Sequence, residues 1–88
     1  MSHVRVEFFG LARTRAGVEA VEMDAATLRD VLSELVVRFP NLDGLCFQDG
    51  QLSTSWLFNV NGQQFTRELD TAVGEGDSVL LMSADAGG

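Results

Sequence analysis

A single stretch of this chain repeats its apolar residues at helical spacing. Leu28, Val31, Leu32, Leu35, Val36 and Phe39 fall at i, i+3 and i+4 intervals, which lines them along one side of a helix. Thr27 stands in front as an N-cap, and Asp30 follows three residues later in the manner of a capping box. Pro40 ends the helix, because the residue before a proline is pushed out of the α region. Arg29, Glu34 and Arg38 lie off the stripe. One amphipathic helix cannot form a core alone, so its stripe has to be buried against strands.

The strands are legible as alternation. Val4, Val6 and Phe8 share one face, with Arg5, Glu7 and Phe9 on the other. Gly10 to Gly17 is polar and predicts the connecting loop of a hairpin. Val18 to Met23 predicts a weaker second strand with Val21 and Met23 on one side. Asn41 to Ser55 has little periodicity, and Leu42, Leu45 and Phe47 are expected to form a short turn that plugs the core. Trp56, Phe58 and Val60 alternate with Leu57 and Asn59, and Asn61-Gly62 is a strong hairpin signal before a return strand over residues 63–66. Gly74-Glu75-Gly76-Asp77 predicts a tight turn, and Ser78 to Met82 a last strand with Val79 and Leu81 on one face, Leu80 and Met82 on the other. The order β-β-α-β-β-β is α+β, with one helix packed on one face of a sheet. Residues 1–82 are expected to form the domain, and residues 83–88 a flexible tail ending in Gly87-Gly88.

Charge narrows the partners. Thirteen acids against six bases give a net charge of −7, which opposes nucleic-acid binding. No apolar run approaches the ~20 residues that span a bilayer, and Met1-Ser2-His3-Val4-Arg5 lacks the pattern of a signal peptide, so a cytoplasmic protein is expected. One cysteine and one histidine make no metal cluster. Cys46 has no basic neighbour in sequence to lower its pKa and is expected to be a plain core residue. There is no Ser/His/Asp set and no phosphate-cradling loop. All six bases are arginine, so an activated C-terminus would meet no lysine on this chain or its copies.

Four stretches together resemble a known family. They are Val4-Arg5-Val6-Glu7-Phe8-Phe9-Gly10, Thr27-Leu28-Arg29-Asp30-Val31-Leu32 through Phe39-Pro40, Val60-Asn61-Gly62, and Gly76-Asp77-Ser78-Val79 through Gly87-Gly88. In this order and spacing they resemble the ubiquitin-like sulfur-carrier family of the molybdopterin-synthase small subunit and the thiamin-pathway carrier. At average glycine usage of about 7%, a terminal pair arises by chance in only roughly 0.5% of chains. The resemblance implies a ubiquitin-like β-grasp fold, with a mixed sheet of about four to five strands whose first and last strands pair in parallel at the centre.

It also implies a function. In that family the C-terminal carboxylate, here that of Gly88 beside Gly87, is adenylated by a ubiquitin-activating-type enzyme using ATP. A desulfurase- or rhodanese-type donor then converts it to a thiocarboxylate. The chain would be a carrier and co-substrate that binds no cofactor of its own, or the small subunit of a synthase alongside a large one. Glycines without Cβ suit an end that must thread a narrow channel. Positions matching Phe9 and Met82 face such partners in the family, and strand parity turns Phe9, Leu80 and Met82 away from the helix side. Molybdopterin is the first expected recipient of the sulfur, with thiamin, cysteine, tRNA and specialised metabolites as others. Ser83-Ala84-Asp85 stands where the molybdopterin branch often carries a proline pair. A protein modifier joined through Gly88 to target lysines would use the same activation, and an interaction domain with an inert tail is the third reading.

Overall fold

In the computed structural model, which describes residues 1–85, strand β1 (Ser2–Phe8) leads into a short helix α1 (Leu11–Ala16) and strand β2 (Ala20–Ala25). β1 and β2 pair antiparallel, with Val4 opposite Met23 and Val6 opposite Val21. The stretch expected as a plain loop therefore carries a helical turn and a half. Gly10 enters it at φ 62, and Gly17 closes it at φ 81 with its N–H donated to the Arg13 carbonyl. That left-handed closing residue is where glycine is favoured. Ala12 is fully buried, so this helix is fastened to the core. The second strand begins two residues later than expected, and Val18 is left exposed.

Helix α2 (Leu28–Arg38) follows and stops before Pro40 as expected, with Phe39 as its C-cap and a 3-10 turn at Pro40–Leu42 beyond it. Its start is held twice over. The Asp30 carboxylate accepts from Ala26 N (2.9 Å) and Thr27 N (3.1 Å). The next amides, Leu28 N and Arg29 N, donate to the carbonyls of Thr71 (3.0 Å) and Leu69 (2.9 Å) on the long connection before the last strand. Amides that a helix leaves unpaired at its N-terminus are thus satisfied by a distant segment.

Residues 41–55 contain a small hairpin of β3 (Phe47–Gln48) and β4 (Gln51–Leu52). Asp49 and Gly50 turn it at φ 53 and 76. Of the expected plug, Leu42 and Phe47 are fully buried, as is Cys46, while Leu45 is only partly buried against the core. β5 (Trp56–Val60) and β6 (Gln64–Thr66) form the next hairpin, with Asn61 and Gly62 at φ 56 and 71, the positive pair that such a turn demands. The last strand, β7 (Ser78–Ser83), enters between β1 and β5.

The main sheet has five strands in the order β2-β1-β7-β5-β6. β1 and β7 are parallel at its centre and the other pairs antiparallel, the arrangement the resemblance implies. Val4, Val6, Phe8, Phe58, Val79 and Leu81 from the sheet meet Leu28, Val31, Leu32 and Leu35 from α2, all of them buried. Burying each such side chain contributes about 1.5–3 kcal/mol relative to leaving it in water.

A polar knot sets the register of β7. Asn61 Nδ2 donates to Asp77 Oδ1 (3.0 Å), while Asn61 Oδ1 accepts from Ser78 N (2.8 Å). The other oxygen of Asp77 accepts from Gly74 N (2.8 Å). The hairpin tip after β5 and the turn before β7 are therefore one unit, which fixes which residues of β7 face the core and which face outward.

Candidate functional site

β7 is the element that leads to the C-terminal segment, and its two faces differ. Val79 and Leu81 are fully buried beneath α2. Leu80 and Met82 point the other way and are half-buried. Leu80 lies opposite Glu7 on one side and Asn59 on the other, and Met82 lies opposite Leu57. Asn59 in turn pairs with Phe65 of β6, which is 65% exposed. Residues directly opposite across a ladder project from the same face. Leu57, Phe65, Leu80 and Met82 therefore share the sheet face turned away from α2, around the buried polar Asn59. Phe65 and Leu57 were not singled out in the sequence. The signal was available, because the Asn61-Gly62 turn fixes the register that brings Phe65 beside Asn59.

Phe9 sits one residue beyond β1, just past the Phe8–Leu81 pair, and is 48% exposed. It stands at the end of the sheet and, with Leu11, Leu45, Trp56, Ser83 and Asp85, lines a cleft of about 320 Å³. Of the three residues expected on a docking face, Leu80 and Met82 share the outer face of β7, and Phe9 marks the end of the sheet where the chain departs.

That departure is anchored. Ala84 N donates to the Ser55 carbonyl at 2.6 Å, and Asp85 N to Ser83 Oγ at 3.1 Å. β7 thus takes in Ser83, the first residue of the segment that the sequence sets apart from the domain, and a turn at Ala84 and Asp85 follows. Gly87 and Gly88, the expected working end, lie outside the described residues.

The remaining reactive groups point elsewhere. Cys46 is fully buried, and burial pushes its thiol up to about 12. A nucleophilic thiol needs the opposite shift. His3 Nε2 lies 2.6 Å from Glu22 Oε1 and Nδ1 lies 3.5 Å from Asp24 Oδ1, and the hydrogen bond to Glu22 is the main cause raising its pKa. Among the described residues no group of three His, Cys, Asp or Glu side chains is placed to hold a metal ion, and no helix is long and apolar enough to cross a membrane.

Comparison with known proteins gives a consistent family. The model of the ThiS family matches residues 6–88. The chain is similar in structure to small archaeal modifier protein 1 (SAMP1) from Haloferax volcanii, with 28% identity, TM-score 0.82, and coverage of 93% of this chain and 94% of that one. It is similar to SAMP1 from Methanosarcina acetivorans, with 26% identity, TM-score 0.84, and coverage of 100% and 98%. It is also similar to a chain in the Amycolatopsis orientalis BexX/CysO complex, with 25% identity, TM-score 0.73, and coverage of 97% and 99%. The comparison with curated proteins yields no match.

Proposed function

The chain belongs to the ThiS family, within the ubiquitin-like sulfur carriers and modifiers, and on that premise we propose that it carries sulfur as a thiocarboxylate on Gly88. The observation that carries this reading is the span of the family match, which runs through the sheet and on to Gly88. A carboxylate is a poor electrophile. In the proposed cycle an adenylating enzyme of the ubiquitin-activating type joins the Gly88 carboxylate to the α-phosphorus of ATP and releases pyrophosphate. The terminal sulfur of a persulfide on a desulfurase- or rhodanese-type donor then displaces AMP, and a second thiol cleaves the resulting acyl disulfide, taking the donor sulfur into a new disulfide and leaving C(=O)S⁻ at the chain end.

The chain's own part is to dock and to deliver. The outer patch of Leu57, Phe65, Leu80 and Met82 is apolar surface of the kind that marks an interaction site. It lies on the same strand that leads to Gly88, so one docking event orients both. The net charge of −7 favours a basic partner surface. The similar chain solved in the BexX/CysO complex supports a carrier that works bound to a partner protein. In this reading the chain is a co-substrate rather than a catalyst, it acts in the cytoplasm, and molybdopterin cofactor assembly is the first recipient pathway to test.

A second reading is favoured by a specific observation. Two of the similar structures are small archaeal modifier proteins, and this chain has no lysine to receive its own activated end. A modifier would transfer Gly88 to the amine of a target lysine after the same adenylation. The discriminating experiment deletes Gly88 and follows ATP–pyrophosphate exchange with the host cell's adenylating enzyme, then supplies sulfide or lysine-bearing proteins to the adenylated wild type. Exchange lost on deletion, with thiocarboxylate formed from sulfide, supports the carrier. Exchange unaffected by the deletion sinks both readings.

A further inference from the structure

The turn that receives Ala84 is itself under strain and under restraint. Trp56 N donates to the Ser53 carbonyl at 3.1 Å, closing a turn in which Ser55 sits at φ 72. A residue with a Cβ is disfavoured there, and such conformations persist only where the surroundings enforce them. Here the enforcing group is Arg67, the residue just after β6. Its Nε donates to the Trp56 carbonyl (2.9 Å), and its Nη2 to the carbonyls of Ser53 (3.2 Å) and Leu52 (3.3 Å). Among the described residues Arg67 forms no ion pair, so its donors are directed at backbone carbonyls. The carbonyl of Ser55, inside the same turn, accepts Ala84 N at 2.6 Å.

We infer that Arg67 is a positioning residue: by clamping the Ser53–Trp56 turn it sets the point at which the C-terminal segment leaves the sheet, and so how Gly88 is presented to an activating enzyme. The purpose of the clamp rests on the carrier or modifier reading above, whereas the clamp itself does not. The physical effect is that of a tether. Each residue released from the sheet adds up to about 3.5 Å of reach beyond it and lowers the effective concentration of the carboxylate at a fixed reactive point. A guanidinium suits this task because its planar fork addresses several carbonyls at once, which an ammonium of the same charge does not.

The test uses the full chain in two variants, Arg67→Gln and Arg67→Lys, with amide hydrogen exchange by NMR and steady-state adenylation by the host cell's activating enzyme. In Arg67→Gln the Ala84 amide is expected to exchange about tenfold faster or more, while amides in the centres of β1 and β5 keep their protection. Adenylation is expected to lose about tenfold in kcat with KM within about twofold, since Leu57, Phe65, Leu80 and Met82 are all retained. Arg67→Lys is expected to recover little of either, because it restores the charge and not the fork. If Arg67→Gln does not fold, Arg67→Lys carries the same readouts. Unchanged Ala84 exchange in a folded variant overturns the clamp, and a loss confined to KM overturns its role in presenting Gly88. A wild-type chain that is never adenylated instead overturns the proposed function, with the Ala84 exchange still deciding the clamp.

Discussion

Leu57 lies directly opposite Met82 across the β5–β7 ladder, on the sheet face turned away from α2. Neither side chain is fully buried, although each belongs to a strand whose alternate residues form the core. Strand alternation would place a polar residue at such positions in a sheet with one wet face. On the proposed function, their apolar character suits a partner that covers them.

Met82→Arg tests that cover. The substitution sets a charge beside Leu57 on the outer face, where docking would bury it without a counter-ion. Binding to the activating enzyme is expected to weaken by about 2 kcal/mol or more, the scale of an interface hot spot. The melting temperature should change little, because Met82 is not a core residue. Titration calorimetry beside a thermal melt checks both halves. Full affinity in the variant would remove the patch from the account.

Stability should fall at both ends of the pH range, for opposite reasons. Asp30 is held below the usual carboxylate range by the amides of Ala26 and Thr27, and Asp77 by Asn61 and then the Gly74 amide. Their contribution is fully present above the ordinary carboxylate pKa of about 4 and is lost as pH falls through the lowered folded values. His3 is raised, chiefly by its hydrogen bond to Glu22. Its contribution is fully present below an unfolded pKa of about 6.5 and is lost as pH rises through the raised value. Urea midpoints from pH 2 to 9 should therefore pass through a maximum. His3→Gln should flatten the alkaline side alone, and Asp77→Asn the acid side in part.

Cys46 should be inert in the folded protein. With the side chain fully buried and the thiol pushed up to about 12, almost no thiolate is present at neutral pH and none is accessible. Iodoacetamide at pH 8 is expected to leave the native protein unlabelled within an hour and to label it fully in urea, as read by mass. Rapid labelling of the native state would mean that the Leu42–Phe47 plug opens readily.

What the sequence made legible, and what it did not, follows from the range of the forces involved. The helix over 28–38 was readable because Leu28, Val31, Leu32 and Leu35 repeat at its period, and its N-terminal box lies within four residues. The parity of β7 was readable for the same local reason. The helix at Leu11–Ala16 was not, because its polar residues have no stripe and its hold on the core rests on two small side chains, the buried Ala12 and the partly buried Ala16. The Asp49-Gly50 hairpin had a turn signal but strands too short to show alternation. At the candidate site, Leu80 and Met82 followed from local parity, whereas Phe65 required a cross-strand register. Arg67 was wholly silent, since its three carbonyl partners lie 11 to 15 residues away in sequence.

The most direct measurement is the intact mass of the untagged protein taken from its own cells, with lysis and handling kept cold to limit hydrolysis. The account expects a species heavier by about 16 Da, one oxygen replaced by sulfur, with fragmentation placing the added mass on Gly88. Chains joined through Gly88 to lysines of other proteins, with no heavier free species under the same handling, would contradict the carrier and establish a modifier in its place.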